Sequence, residues 1–215
     1  MKPLKTELQD AETLRDLGSA SVQIVHDLKN QLNGLKLYAT FLRKRMEKAE
    51  RPADEQETLA KLISGLERAA SDMNVLVRFG RPVELRRQPG TDLGRLVEEA
   101  AEGEGVEAEG GPFEGEFDPA LLGEALKSIT AGARGDGADG GGGATRVRVS
   151  GDGPGHALVE WVGAAALAEG EDPFRSLAGA TGLRMALAAR IVRAHGGEVS
   201  HDPGRLSARL PLRAS

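Results

Sequence analysis

Apolar positions recur through residues 25–46 at Val25, Leu28, Leu32, Leu35, Ala39, Leu42 and Met46. The steps alternate between three and four, the period of a helix that shows one stripe to a partner helix. Ile24, Leu37, Tyr38 and Phe41 widen that stripe. Arg51-Pro52-Ala53-Asp54 interrupts it, and Leu59, Leu62, Leu66, Ala69, Met73 and Leu76 resume it. The pattern predicts an antiparallel helical hairpin ending at Gly80-Arg81-Pro82, where proline cannot continue a helix. One hairpin cannot cover both stripes from water. Pairing two hairpins into a four-helix bundle covers them, so a homodimer is expected. The alternative is that the rest of the chain covers the hairpin.

Beyond Pro82 the pattern changes. Val83-Glu84-Leu85 reads as a short strand, and Asp92 as the cap of a helix through Leu93, Leu96 and Val97. Gly103–Gly115 reads as a loop with one short strand near Val106. Asp118-Pro119 is a helix start, with Asp as cap and Pro in the first turn, for a helix through Leu122, Leu126 and Ile129. Arg146–Val149 and Ala157–Val162 form a hairpin around Gly151-Asp152-Gly153-Pro154-Gly155. A helix over 182–194 ends at Gly196-Gly197, and Glu198–Ser200 and Leu206–Leu212 make a last strand pair. Interleaved strands and helices with tight turns predict an α/β sandwich on a mixed sheet. The fold class is therefore α+β, with a hairpin domain over 1–80 and a sandwich domain over 81–215.

Composition sharpens this division. Only four of the 29 glycines lie in the first 80 residues. A net charge of −5 gives no electrostatic case for nucleic acid. The absence of cysteine excludes disulfides, thiolate catalysis and zinc–thiolate sites. No apolar run reaches the roughly 20 residues of a membrane span, and the polar N-terminus resembles no signal peptide. A cytoplasmic protein without membrane contact is expected.

The densest polar constellation is His26-Asp27-Leu28-Lys29-Asn30. His26 and Asn30 are four apart and share one helix face, turned away from the seam. A neutral imidazole is a nucleophile. A neighbouring carboxylate orients the ring and stabilises its protonated form. An amide one turn on can hold a phosphoryl oxygen or a water. His195, in His-Gly-Gly at a helix end, reads as structural, held by free carbonyls beside a glycine cap. His156 and His201 read as surface residues without partners, and Trp161 as sheet core.

The stretch SASVQIVHDLKNQLNGLKL resembles the phosphoacceptor motif of two-component sensor histidine kinases. His26 matches the phosphoacceptor, Asp27 its acidic neighbour, Asn30 the polar residue and Leu32 the leucine, while Gln31 stands where proline is usual. The resemblance implies a dimerisation and histidine-phosphotransfer hairpin followed by an α/β sandwich of the GHKL (Bergerat) type. Asp118-Pro119-Ala120-Leu121-Leu122 looks like the start of that domain's asparagine-bearing helix, which binds magnesium. Asp172-Pro173-Phe174 looks like its phenylalanine box, and 180–197 like its glycine box and helix.

Departures from the family pattern fall on the nucleotide-contact positions. Ser128 and Gly132 stand where the family has asparagines, and Gly132 has no oxygen for a metal. The strand ending at Val162 leads into Gly163-Ala164-Ala165-Ala166, where the family has the aspartate that reads adenine. In the glycine box, Thr181-Gly182-Leu183 survives but Arg184 replaces the next glycine. The expectation is a degenerate ATP-binding domain with no bound ATP or metal. The protein is then a phosphorelay histidine phosphotransferase: His26 exchanges a phosphoryl group with the receiver aspartates of response regulators, which supply the Mg2+. The alternatives are an atypical ATP-dependent histidine kinase or phosphatase, and a non-catalytic dimeric regulator-binding protein.

Overall fold

The computed structural model describes residues 25, 28–44, 53–135, 146–164, 172–177 and 179–212. The chain divides between Pro82 and Val83 into two compact units. No described helix is long and apolar enough to cross a membrane.

The first unit holds helix α1 over 28–44 and helix α2, Ala53–Phe79. Ala39 of α1 packs with Leu59, Ile63 and Leu66 of α2 in a small core. Lys36 pairs with Glu67 at 2.7 Å. Earlier residues of α1 thus meet later residues of α2, so the helices run antiparallel. Each helix also leaves apolar residues open to water, seven apart on α1 and fourteen apart on α2. On α1 these are Leu28, Leu35 and Leu42, and on α2 Leu62 and Leu76.

The second unit is a sandwich of helices on one sheet. Strand β1 (Gln88–Asp92) leads into α3 (Leu93–Glu104), followed by β2 (Glu107–Glu109) and β3 (Glu114–Phe117). Helix α4 (Pro119–Arg134), β4 (Arg146–Gly151), β5 (His156–Val162), α5 (Gly179–Ala194), β6 (Glu198–Asp202) and β7 (Arg205–Pro211) complete it. The main sheet has the order β2-β4-β5-β7-β6, with β2 parallel to β4 and the remaining pairs antiparallel. Strands β1 and β3 form a separate antiparallel pair.

Local chemistry accounts for the element starts. Asp92 caps α3, its Oδ1 accepting from the Gly94 N–H at 2.9 Å and the Phe113 N–H at 3.2 Å. Asp118 caps α4 through Leu121 N–H at 3.0 Å, with Pro119 in the first turn. The strand expected at Val83–Leu85 is absent. The Arg86 N–H is given to the Asp118 carboxylate at 2.8 Å and not to a neighbouring strand. The first strand lies later, at Gln88–Asp92. Pairing also makes a strand of Glu114–Phe117, where alternation is too short to predict one.

The core lies between one face of the sheet and α3, α4 and α5. Alternate residues of β4, β5 and β7 point into it: Val147, Val159, Trp161, Leu206 and Leu210 are buried. On the opposite face the strands carry charges. Arg146 reaches Glu107 and Glu109 at 3.3 and 3.2 Å, and Arg205 reaches Glu160 at 3.3 Å. Such exposed pairs add at most about 1 kcal/mol each.

Trp161 is fully buried and its indole N–H donates to Thr130 Oγ1 at 2.8 Å. The Thr130 hydroxyl donates in turn to the Leu126 carbonyl at 2.9 Å. Thr130→Val keeps the volume but strands the indole N–H in an apolar interior. Chemical denaturation of this variant should show a loss of about 1–3 kcal/mol; an unchanged midpoint would mean that the bond carries no weight.

Candidate functional site

The phosphotransfer candidate and the nucleotide candidate lie in different units. His26 and Asp27 fall outside the described residues. Asn30 is on α1 and exposed, one turn from the position of His26. Leu37 and Phe41 follow along the same helix and are 54% and 59% exposed. Helical spacing keeps Asn30 and Leu37 on one side of α1, apart from the Leu28–Leu35–Leu42 row.

In the α/β unit, Gly132 is buried in α4. A Cβ built on it would run into Met185 Sδ and lie 3.0 Å from Met185 Cγ. No side chain fits here without displacing Met185. Neither residue offers the oxygen donors that magnesium requires, so the residues present do not fit that ion. Gly163 ends β5 with φ 76°, its N–H donating to the Gly204 carbonyl at 3.0 Å. It has no side chain to read a base.

The glycine-box segment lies within α5, which begins at Gly179, earlier than residue 182. A Cβ on Gly182 would meet the Ser176 carbonyl oxygen at 3.1 Å. The close approach that this glycine permits is therefore used by the protein's own chain. Arg184 is half-buried on α5. Phe174 is buried, in a turn where Asp172 Oδ1 accepts from the Phe174 N–H at 2.9 Å. His201 is exposed, as expected of a surface residue, and its Nδ1 lies 3.6 Å from Asp172 Oδ1. The two residues are 29 apart in sequence, and no local pattern signals that pairing.

His195 has the structural role its position suggests. It is buried beside Phe117, with the two ring centroids 6.0 Å apart. The Asp118 backbone N–H donates to its Nε2 at 3.0 Å. Nε2 must therefore be unprotonated, so Nδ1 carries the proton and donates to the Ile191 carbonyl at 2.8 Å. Gly196 follows with φ 83°, the left-handed cap. Burial lowers the basicity of His195, and the nearby Arg87 lowers it further. The Ile191 carbonyl and Asp118 oppose them without prevailing. For Asp118, burial is the largest influence and pushes the carboxyl up. The N–H groups of Leu121 and Arg86 and the nearby His195 outweigh it and leave the carboxyl more acidic than usual.

The sequence matches no protein-family model and no curated protein. The structure does resemble solved ones. Full-length ShkA, in complex with AMPPNP, superposes with a TM-score of 0.67 at 18% identity, over 90% of this chain and 45% of that one. The Acinetobacter baumannii histidine kinase AdeS superposes with a TM-score of 0.52 at 12% identity, over 86% of this chain and 96% of that one. The chain thus spans less than half the length of ShkA. These likenesses show the fold alone: a mixed α+β architecture like that of the two solved histidine kinase structures, with an α/β sandwich on a mixed sheet.

The His195 environment sets a pH dependence. Unfolded, this histidine takes up a proton near its ordinary value of 6.5, whereas folded it stays neutral to lower pH. Between those values the unfolded state holds more protons, so stability falls as the solution is acidified below about 6.5. The slope is at most about 1.4 kcal/mol per pH unit. Asp118 adds a second loss below its ordinary value of 3.8. In urea titrations across pH 5–7, His195→Gln should lack the first slope; the same slope in both proteins would exclude His195 as its source.

Proposed function

We propose that this chain is a histidine phosphotransfer protein of two-component signalling, built on a histidine-kinase fold. His26 carries the phosphoryl group, and receiver aspartates of response regulators donate and accept it. In the forward step an imidazole nitrogen of His26 attacks phosphorus. A P–N bond forms as the P–O bond to the receiver aspartate breaks, and the carboxylate leaves. The imidazole proton passes to solvent, and Asp27 orients the ring and stabilises its cationic form. Asn30 holds a phosphoryl oxygen. The receiver supplies the magnesium.

One observation carries this reading. Gly132 stands at the position where the resembled family binds its metal, and Met185 already fills the room a side chain there would need. The missing base-reading residue at Gly163 points the same way.

A second reading is ATP-dependent autophosphorylation of His26. The fold likeness favours it, since AdeS is a histidine kinase and ShkA was solved with AMPPNP. The two readings separate cleanly. A phosphorylated receiver domain should transfer label to the wild-type protein and not to His26→Ala. ATP with magnesium should leave both unlabelled. Strong self-labelling from ATP would establish the second reading in place of the first. Asn30→Ala removes a hydrogen bond to a charged group, worth about 1.5–3 kcal/mol. Transfer should slow on the order of 10- to 100-fold.

A homodimer belongs to the same proposal. The open residues Leu28, Leu35 and Leu42, seven apart, and Leu62 and Leu76, two heptads apart, fit the repeat of a bundle seam. Leu35→Glu combined with Leu42→Glu should convert the protein to a monomer by light scattering after size exclusion. A variant of unchanged mass would place the dimer contact elsewhere or nowhere.

A further inference from the structure

His195 is a buried titratable group that the phosphotransfer chemistry leaves unused. Two of its neighbours fasten the chain where it enters the α/β unit. The units divide between Pro82 and Val83, and residues 83–87 have no regular structure. The Arg86 N–H donates to Asp118 Oδ2 at 2.8 Å, and the Arg87 guanidinium donates to the Ala194 carbonyl at 3.1 Å. Asp118 gives its own N–H to His195 Nε2, and Ala194 is the residue before His195. Both fastenings thus end on residues joined to His195. The charged groups facing the ring are Asp118, at the head of α4, and Arg87. Strand β3 presents the Phe117 ring, and α5 the Ile191 carbonyl.

Both ring nitrogens are committed in the neutral form. A proton on Nε2 sets one N–H against another, that of Asp118, at 3.0 Å. Turning the ring over gives no relief, since both nitrogens of an imidazolium are donors. The cation is drawn to the Asp118 carboxylate, which the Leu121 and Arg86 N–H groups already occupy. It also repels the Arg87 guanidinium. As the imidazolium takes the carboxylate, Arg86 loses its acceptor and the Arg87 contact weakens.

We propose that His195, Asp118 and Arg87 form a proton-operated latch on the segment that joins the two units. With His195 neutral, the segment is held at Arg86 and Arg87. With His195 protonated, the segment comes away while the sheet and its helices stay folded. Nothing in this device depends on His26 or on the phosphotransfer reading.

Amide hydrogen exchange by NMR on the full chain, from pH 7.5 to 5 and corrected for intrinsic rates, tests the latch. The Arg86 and Asp118 amides should be much less protected than that of Val159 in the central strand β5. Their protection should fall below pH 6.5 by up to about tenfold per pH unit, one proton being taken up. His195→Gln should remove that fall. Arg87→Gln should make it smaller, because the closed ring then tolerates a proton better. It also serves if His195→Gln does not fold. Three results overturn the proposal. One is protection equal to that of Val159, which means that the contact opens only when the whole unit unfolds. The second is protection of Arg86 and Asp118 that does not change with pH. The third is a fall that either variant leaves as it is in the wild type.

Discussion

Asp118 gives its backbone N–H to His195, 77 residues further along the chain, at 3.0 Å in the interior of the α/β unit. Three segments meet at this contact. The Asp118 carboxylate caps α4 through Leu121 and also takes the Arg86 N–H, which draws in the chain entering the unit. The His195 ring closes on the Ile191 carbonyl in the last turn of α5, and Arg87 donates to the Ala194 carbonyl there at 3.1 Å. Helix ends leave backbone groups unpaired, and buried ones are costly. Here the start of α4 and the end of α5 satisfy each other, so neither helix can shift without unpairing the other.

The two units solve the problem of apolar surface differently. The α/β unit closes on itself. Its sheet turns one face to three helices and spends the other on cross-strand ion pairs. Among the described residues of the hairpin, Ala39, Leu59 and Ile63 form the core, while larger residues such as Leu35, Tyr38 and Phe41 are more than half exposed.

Much of this was legible in the sequence, wherever the determinant is local. Asp92 and Asp118-Pro119 announce α3 and α4 because a cap acts within three residues. The β4–β5 hairpin and the β6–β7 pair follow from alternation and tight turns. Long-range determinants left no such trace. Just past the failed strand at Val83–Leu85, the Arg86 N–H goes to a carboxylate 32 residues further on. The short β3 exists only through its pairing with β1. The candidate nucleotide positions were readable as missing side chains at Gly132 and Gly163. That Met185 fills the space at Gly132 was not, since nothing in the spacing of the two residues indicates which faces meet.

The aromatic residues have a practical consequence. The chain holds one tryptophan and one tyrosine. Trp161 is sealed in the α/β unit, and Tyr38 stands 68% exposed on α1 of the hairpin. Indole emission therefore reports on one unit and phenol absorbance on the other. The protein carries its own pair of optical probes, one per unit, so the cooperativity of the two halves can be followed without any added label.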